Sequence, residues 1–190
     1  MNKIDTQSIT QPDGGTSSTL TLILSRSILR RTHEYFFPYW KAGVETACYW
    51  FGYEAGDLQI VTTVAVPRLF QTSGNYRVEP GSWRRLARSM KEQGLTNLAQ
   101  VHTHPIDYTV AHSPFDDRQA YSTQEGALSL VFADYGVADR YDLGSIGVHE
   151  RSAAGWTLLE AKDVARRIRI VDDFADFRWE ISRGEIGHYE

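Results

Sequence analysis

The hydrophobic residues of this chain occur in short runs and at regular spacings, separated by polar, turn-forming segments. Over residues 82–93, apolar side chains recur at helical spacing, and a glycine follows as a stop signal. Nearly continuous apolar runs between turn residues predict buried strands. Such runs cover residues 58–66, 98–101 and 127–132. The runs at 145–149 and 156–159 predict a hairpin that closes around an Ala-Gly turn.

The segment after residue 160 carries an apolar pattern of its own. Val164, Ile168, Val171 and Ala175 fall on one face of a helix predicted over residues 161–181. Two interpretations stay open at this stage. The helix packs on its own domain, or its apolar face docks a partner protein.

Composition and charge narrow the class of protein. The chain has 190 residues, 42% of them hydrophobic, and a net charge of −4. This length suits one domain with a sizeable core, and the negative charge argues against a dedicated nucleic-acid binder. Local basic spots at Arg84-Arg85 and Arg166-Arg167-Ile168-Arg169 are interpreted as solvated helix faces. No apolar run approaches the ~20 residues of a membrane span.

Two further features bear on the compartment. Residues 1–18 are polar and lack the apolar core of a signal peptide, so they predict a flexible tail on a cytoplasmic protein. Cys48 is the only cysteine and lies in an apolar run, where it is interpreted as core packing. A single cysteine excludes an intramolecular disulfide and a multi-thiolate zinc cluster.

Two histidines stand at the end of a predicted strand. His102 and His104 follow the apolar run 98–101, and residues i and i+2 of a strand share one face. Pro105 ends the strand just past the second histidine. Imidazole is an ordinary zinc ligand, although a His-x-His pair alone is weak evidence for a metal site.

A carboxylate follows after a short loop and strengthens the interpretation. Ser113 stands at a predicted helix N-cap, Pro114 at the first helical position and Asp116 in the first turn. Three protein ligands plus one water is the pattern of a catalytic zinc site. We therefore identify His102, His104 and Asp116 as candidate ligands of one zinc ion.

This combination resembles the JAMM motif of the JAB1/MPN/Mov34 metalloprotease family, in which an upstream Glu precedes His-x-His-Pro and Ser-x-x-Asp. The resemblance covers roughly residues 20–160. In the family, a helix leads into a strand that begins with Glu and runs to a Gly. Here residues 25–40 correspond to that helix, and Glu45 opens an apolar strand that ends at Gly52. A charged residue leading a buried strand is costly unless it is paired or functional, which also singles out Glu45.

The resemblance implies a mixed α/β (α+β) fold with an MPN/cytidine-deaminase-like core. In such a fold, a curved, largely antiparallel sheet is flanked by helices. The predicted order of elements fits this arrangement and is not a regular βαβ alternation. The metalloprotease domain is predicted over residues 19–160, after a tail at 1–18 and before a C-terminal helical extension at 161–190.

One departure from the family pattern concerns the loop after the histidines. Eight residues, 105–112, separate His104 from Ser113, whereas the family usually has seven. An insertion of one residue is structurally cheap, but it leaves Asp117 as an alternative ligand. His112 as a fourth ligand would close the water position and make the site structural. Asp116 is assigned because it alone completes Ser-x-x-Asp.

The resemblance also implies a reaction. The family hydrolyses isopeptide or peptide bonds, typically to release ubiquitin or a ubiquitin-like protein from a conjugate or precursor. Glu45 would act as general base and acid, and Ser113 would donate a hydrogen bond to the oxyanion. A helix cap alone is the other interpretation of Ser113.

We expect the protein to act in a bacterial ubiquitin-like pathway, for example one that serves antiphage defence. Two alternatives stay open: a catalytically silent scaffold subunit, and a peptidase that acts on small substrates or carrier proteins. The expected partners are a ubiquitin-like protein and its conjugated target, and neither nucleic acid nor a membrane is expected.

Overall fold

The computed structural model describes residues 20–137 and 143–173. Its helices are α1 (Arg26–Ala42), α2 (Ser82–Glu92), α3 (Pro114–Arg118) and α4 (Ala161–Arg167). Its strands are β1 (Thr21–Ser25), β2 (Ala47–Ala55), β3 (Leu58–Ala65), β4 (Leu69–Thr72), β5 (Asn75–Val78), β6 (Thr96–Thr103), β7 (Leu128–Phe132), β8 (Ile146–Ser152), β9 (Gly155–Leu158) and β10 (Ile168–Val171). A 3-10 turn spans Asp134–Gly136. The tail predicted at residues 1–18 lies outside the described residues.

Eight of these strands form one mixed sheet in the order β10-β1-β3-β2-β6-β7-β8-β9. Four neighbouring pairs are antiparallel and three are parallel. The sheet is strongly curved, and register shifts beside Phe51 add to the bend of β2. Strands β4 and β5 form a separate hairpin. The predicted mixed fold, a curved and largely antiparallel sheet with flanking helices, is confirmed.

Helix α1 matches the helix expected over residues 25–40. Ser25 caps its start, where the side-chain oxygen accepts a hydrogen bond from the Ile28 N–H at 3.4 Å. Gly43 ends it with a φ of 62°, a left-handed conformation that glycine adopts without strain. No helix in the part of the chain that the structure describes is both long and apolar enough to cross a bilayer.

Strand β2 lies near the centre of the sheet and is buried on both faces. Cys48 and Trp50 belong to the main core cluster, together with Phe36 of α1. Tyr49 and Phe51 alternate with them and form a second cluster, which packs against α2. The sheet is therefore covered by a helix on each side. The complete burial of Cys48 confirms that it packs in the core.

The strands predicted from apolar runs all form. Strands β3, β6 and β7 cover the runs at 58–66, 98–101 and 127–132, and β8 and β9 form the predicted hairpin. Strand β2 extends three residues beyond Gly52, to Ala55. Strand β1 and the hairpin β4–β5 were not predicted, because each strand has only four or five residues and little local pattern marks it.

The helix predicted over residues 161–181 is wrong for residues 168–173, the described part that follows Arg167. Helix α4 ends there, and Ile168–Val171 form β10, which pairs in parallel with β1 at the edge of the sheet. Two β-branched isoleucines and a valine in this stretch favour a strand, and β1 offers an unpaired edge. Ala175 and the rest of the predicted helix lie outside the described residues. The division into tail, domain and extension, and partner docking at the extension, stay predictions.

The interpretation of Arg167 as a solvated charge is also wrong. Its side chain is 2% exposed, and its Nε donates to Glu150 Oε1 at 2.7 Å. Its terminal nitrogens donate to the carbonyls of Leu20 and Gly126 and to Gln59 Oε1. The exposed arginines of the two basic spots are Arg84, Arg85, Arg166 and Arg169, and Arg169 lies on β10 rather than on a helix.

Candidate metal centre

The end of β6 carries the two histidines. His102 pairs with Ala47 of β2 on one side and with Val131 of β7 on the other. His104 follows the strand, and its backbone N–H donates to the Phe132 carbonyl at 2.8 Å. Both side chains are buried, at 0% and 5% exposure. The histidines are thus held by the centre of the sheet rather than by a free loop.

Helix α3 presents the carboxylate. Ser113 Oγ accepts hydrogen bonds from the N–H groups of Phe115 and Asp116 at 3.2 and 3.3 Å. In return, Asp116 Oδ2 accepts from the Ser113 N–H at 2.6 Å. This capping box, with Pro114 at the first helical position, begins the helix where the sequence predicts it. It also fixes the orientation of the Asp116 carboxylate.

The three predicted ligands meet at one point. The Nε2 atoms of His102 and His104 lie 3.3 Å apart. Asp116 Oδ1 is 3.3 Å from His102 Nε2, and Asp116 Oδ2 is 3.3 Å from His104 Nε2. Bonds of ~2.0–2.1 Å in a tetrahedral arrangement would separate ligand atoms by about 3.3–3.4 Å. The spacing of these buried atoms therefore fits a metal ion.

Hydrogen bonding indicates that a cation belongs between these atoms. His104 Nδ1 donates to the Thr109 carbonyl at 2.7 Å, so Nε2 of the neutral ring carries a lone pair. That lone pair faces Asp116, whose ionised oxygens can only accept. Two buried acceptors 3.3 Å apart require a proton or a metal ion between them. Two imidazoles and one carboxylate are a donor set that suits zinc.

Burial and hydrogen bonding set the charges of the three side chains. Burial acts to raise the pKa of Asp116, but hydrogen bonds with His102 and His104 outweigh it and hold the pKa well below its ordinary value. Burial lowers the pKa of His102. Burial also acts to lower the pKa of His104, but hydrogen bonds with Asp116 and Thr109 raise it. Asp116 is thus ionised and His102 neutral, which are the forms that bind metals.

Glu45 lies just before β2 and is 6% exposed. The hairpin β4–β5 holds its backbone: the Glu45 N–H donates to the Thr72 carbonyl at 2.8 Å, and Gln71 Nε2 donates to the Glu45 carbonyl at 3.2 Å. Burial raises the pKa of the Glu45 carboxyl to about 7. His104 lowers this pKa by a smaller amount, and the negative charge of Asp116 raises it. A carboxyl that titrates near neutrality is suited to accept and return a proton.

The same hairpin packs against His102, a contact that the sequence did not reveal. The Tyr76 ring is buried 5.5 Å from the His102 ring, measured between centroids. Its hydroxyl accepts from Gln100 of β6, and its carbonyl accepts from Gln119 Nε2 at 3.1 Å. The only sequence signal was an aromatic residue in a short alternating stretch. Tyr76 thus connects the hairpin to β6 and to the end of α3.

The two alternative ligands lie outside the ligand cluster. Asp117 is half-exposed, and its Oδ1 is 3.1 Å from His112 Nδ1. His112 Nε2 is 2.9 Å from Ser129 Oγ. The extra residue in the loop therefore leaves Asp116, not Asp117, beside the histidines.

Comparison with known proteins gives one curated relative and two solved structures of note. A probable metalloprotease of Sinorhizobium fredii, y4jG, is 26% identical over 155 residues, which cover 79% of this chain and 94% of the relative. No protein-family profile matches the chain. The solution structure of DSY2949 from Desulfitobacterium hafniense aligns with a TM-score of 0.60 at 17% identity, over 81% of this chain and 95% of that chain.

The crystal structure of AF2198, a JAB1/MPN domain protein from Archaeoglobus fulgidus, aligns with a TM-score of 0.44 at 14% identity, over 81% and 99% of the two chains. The likeness to DSY2949 concerns the fold alone. The relationship to a probable metalloprotease and the buried His-His-Asp cluster support a metal-dependent peptidase. The chain resembles the JAB1/MPN/Mov34 metalloproteases in its motif of Glu45, His102, His104, Ser113 and Asp116.

Proposed function

We propose that this protein is a zinc-dependent peptidase that releases ubiquitin or a ubiquitin-like protein from a conjugate or precursor. The observation that carries the proposal is the convergence of His102, His104 and Asp116 at 3.3 Å spacing, with the charges of His104 and Asp116 acting on the buried Glu45 carboxyl. A scaffold subunit would need none of these four side chains. The proposed setting is the cytoplasm of a bacterium with a ubiquitin-like pathway.

His102, His104 and Asp116 would hold the metal ion, and His104 is fixed for this role by its hydrogen bond to the Thr109 carbonyl. A zinc ion held by these residues would polarise a carbonyl oxygen and lower the pKa of a bound water from ~15.7 to about 7. The capping box on Asp116 and the strand pairing of His102 keep the three donors in place. Little reorganisation is then needed when a substrate binds.

Glu45 would carry the proton. Its carboxylate accepts a proton from the attacking water and then gives that proton to the leaving amine, which is a very poor leaving group without it. The pKa of about 7 suits both steps, because the ionised and the protonated form are each populated near neutral pH. The hydrogen bonds of the Glu45 backbone with Gln71 and Thr72 hold the residue at the start of β2.

Ser113 would stabilise the negative oxygen of the tetrahedral intermediate. Its Oγ already accepts two backbone N–H groups at the start of α3. A hydroxyl accepts through its lone pairs and donates through its hydrogen, so capping the helix leaves that hydrogen for the oxyanion. The two interpretations of Ser113 from the sequence are therefore compatible.

The surface beside the candidate ligands supports a protein substrate over a small molecule. The loop that follows His104 exposes Ile106 and Tyr108, at 58% and 68%. Exposed apolar side chains beside a reaction centre provide contact area for a macromolecule. Two cavities of about 460 and 490 Å³ are lined by residues other than the candidate ligands and Glu45.

The test is hydrolysis of two probes by the zinc-loaded protein: a ubiquitin carrying a fluorogenic amide at its C-terminus, and a short fluorogenic peptide. We expect the ubiquitin probe to be cleaved and Glu45→Gln to reduce cleavage about 10²–10⁴-fold while binding the same amount of zinc. Cleavage of the peptide alone would favour a small-substrate peptidase. Cleavage of neither, with zinc bound, would favour a scaffold.

A further inference from the structure

A second polar cluster lies directly beside the candidate metal ligands. It consists of Asp117 on α3, His112 in the preceding loop, Ser129 on β7 and His149 on β8. The His112 ring lies between its partners, with Nδ1 3.1 Å from Asp117 Oδ1 and Nε2 2.9 Å from Ser129 Oγ. The centroid of this ring is also 5.7 Å from that of His102. These are the same residues that the sequence offered as alternative ligands, together with two from neighbouring strands.

The direction of these hydrogen bonds follows from the groups involved. The carboxylate of Asp117 only accepts, so His112 Nδ1 must donate to it. Nε2 of the neutral ring then accepts, and the Ser129 hydroxyl donates. The chain of bonds runs from β7 through the His112 ring to α3, and each group has a complementary partner.

His149 provides a second attachment for the same loop residue. The rings of His112 and His149 stack at 3.8 Å between centroids with an angle of 16°. His149 Nε2 also accepts the backbone N–H of His112 at 3.1 Å. Both the side chain and the backbone of His112 are therefore held against the sheet.

Close packing keeps the rest of the loop on β8. A Cβ atom on Gly147 would lie 2.1 Å from the Val110 carbonyl oxygen, so only glycine admits the loop at this distance. The Thr109 carbonyl accepts from His104 Nδ1 at 2.7 Å. The loop is thus held in place at Thr109, at Val110 and at His112.

We propose that His112 is a positioning residue for the metal centre. It fixes the end of the eight-residue loop, and through it the N-cap Ser113 and the ligand Asp116. The inference rests on the proposed zinc site. His112 immediately precedes the N-cap and binds Asp117, which follows the ligand, so it holds α3 on both sides of Asp116.

The same three groups have the order of a Ser-His-Asp nucleophile triad, but their location excludes that role. Ser129 lies within β7 and is 2% exposed, so a substrate carbonyl cannot reach its hydroxyl. The nucleophile of such a triad must be accessible. The cluster therefore acts on the position of α3 and not as a second hydrolytic site.

The test compares zinc affinity in the full chain for wild type, His112→Ala and His112→Asn, by competition with a chromophoric zinc chelator. We expect His112→Ala to weaken zinc binding about 10- to 100-fold. The amide of His112→Asn stands near the position of Nδ1 and keeps the bond to Asp117, so this variant recovers much of the loss. Ser122→Ala is the matched control, because the Ser122 hydroxyl accepts from the Gln124 N–H, a local bond two residues along the chain; we expect no change.

Wild-type zinc affinity in His112→Ala would overturn the proposal. The proposal would also be overturned if the alanine and asparagine variants lost zinc affinity equally and in parallel with their losses in melting temperature. That result would indicate that His112 supports the packing of the fold in general and not the position of the ligand. Zinc affinity is measured without substrate, so the result stands even if the wild type cleaves neither probe. Where cleavage is observed, we expect His112→Ala to lower kcat more than it changes KM.

Discussion

At the scale of single residues, the environment of each titratable side chain determines what it can do. Glu45 and Asp116 are both buried carboxyls, yet their pKa values shift in opposite directions. At Asp116 the effect of burial is outweighed by hydrogen bonds with its neighbours and the carboxyl stays ionised, whereas burial dominates at Glu45 and raises its pKa to about 7. The first therefore suits metal binding and the second suits proton transfer.

The raised pKa of Glu45 predicts a pH dependence of stability in the metal-free protein. The folded-state pKa of about 7 lies above the ordinary value of 4.5, so the folded protein binds the proton more tightly than the unfolded chain does. The stabilisation is complete below about pH 4.5 and is lost as the pH rises through 7. We expect the free energy of unfolding of the wild type to fall, relative to Glu45→Gln, between pH 5 and pH 8.

Urea unfolding of both proteins after removal of metal by a chelator measures this difference. Neighbouring His104 and Asp116 are present in both proteins, so their own titrations contribute to both curves. Parallel curves for the wild type and Glu45→Gln would contradict the assignment of the raised pKa to Glu45.

At the scale of elements, the residues of the candidate site are positioned by short helices and strands. The contacts at the ends of these elements, more than their lengths, fix the site. Helix α3 has only five residues, but its capping box fixes Asp116. The hairpin β4–β5 is short too, and it holds Glu45 through Thr72 and packs Tyr76 on His102. Both elements are stabilised by contacts with the sheet rather than by their own propensity.

Ser113 joins the two roles of α3, and its replacement separates them. Ser113→Ala removes the cap and should lower the free energy of unfolding by about 1 kcal/mol. If the hydroxyl also binds the oxyanion, kcat should fall about 10²–10³-fold, while zinc content per chain stays at the wild-type level. Steady-state kinetics and elemental analysis on the same preparation measure both. A change in stability with unchanged kcat would show that Ser113 is only a cap.

The sequence predicted the site better than it predicted the edges of the sheet. His102, His104, Ser113 and Asp116 lie within fifteen residues, so strand alternation and capping rules place them locally. Glu45 is distant in sequence, and it was identified from the family pattern together with the cost of a charge at the start of a buried strand. Strands β1 and β10 form by pairing with distant parts of the chain, and no local pattern contains that information.

At the scale of the whole molecule, one buried arginine joins segments that are far apart in the sequence. Arg167 at the end of α4 contacts Leu20 before β1, Gln59 on β3, Gly126 before β7 and Glu150 on β8. Sequence reasoning treats Arg167 and Arg166 alike. The fold buries one and exposes the other, because only Arg167 points toward these acceptors.

We predict that Arg167→Ala destabilises the protein by about 3 kcal/mol, since it leaves several buried acceptors and Glu150 without their partner. Arg166→Ala is the matched control. Its side chain is exposed and pairs with Asp163 on the same helix, so we expect a change within about 0.5 kcal/mol. Chemical denaturation measures both. Equal effects of the two substitutions would contradict the role of Arg167 as a structural connection.

The metal centre is the basis of the proposed function, and its most direct measurement is zinc content by elemental analysis. Wild type and His104→Ala would both be purified without added metal. We predict about one zinc per chain in the wild type, and its loss in His104→Ala, because removal of one of three protein ligands leaves too few donors. A wild-type protein that binds no zinc, even after resupply, would contradict the proposal that His102, His104 and Asp116 form a catalytic metal site.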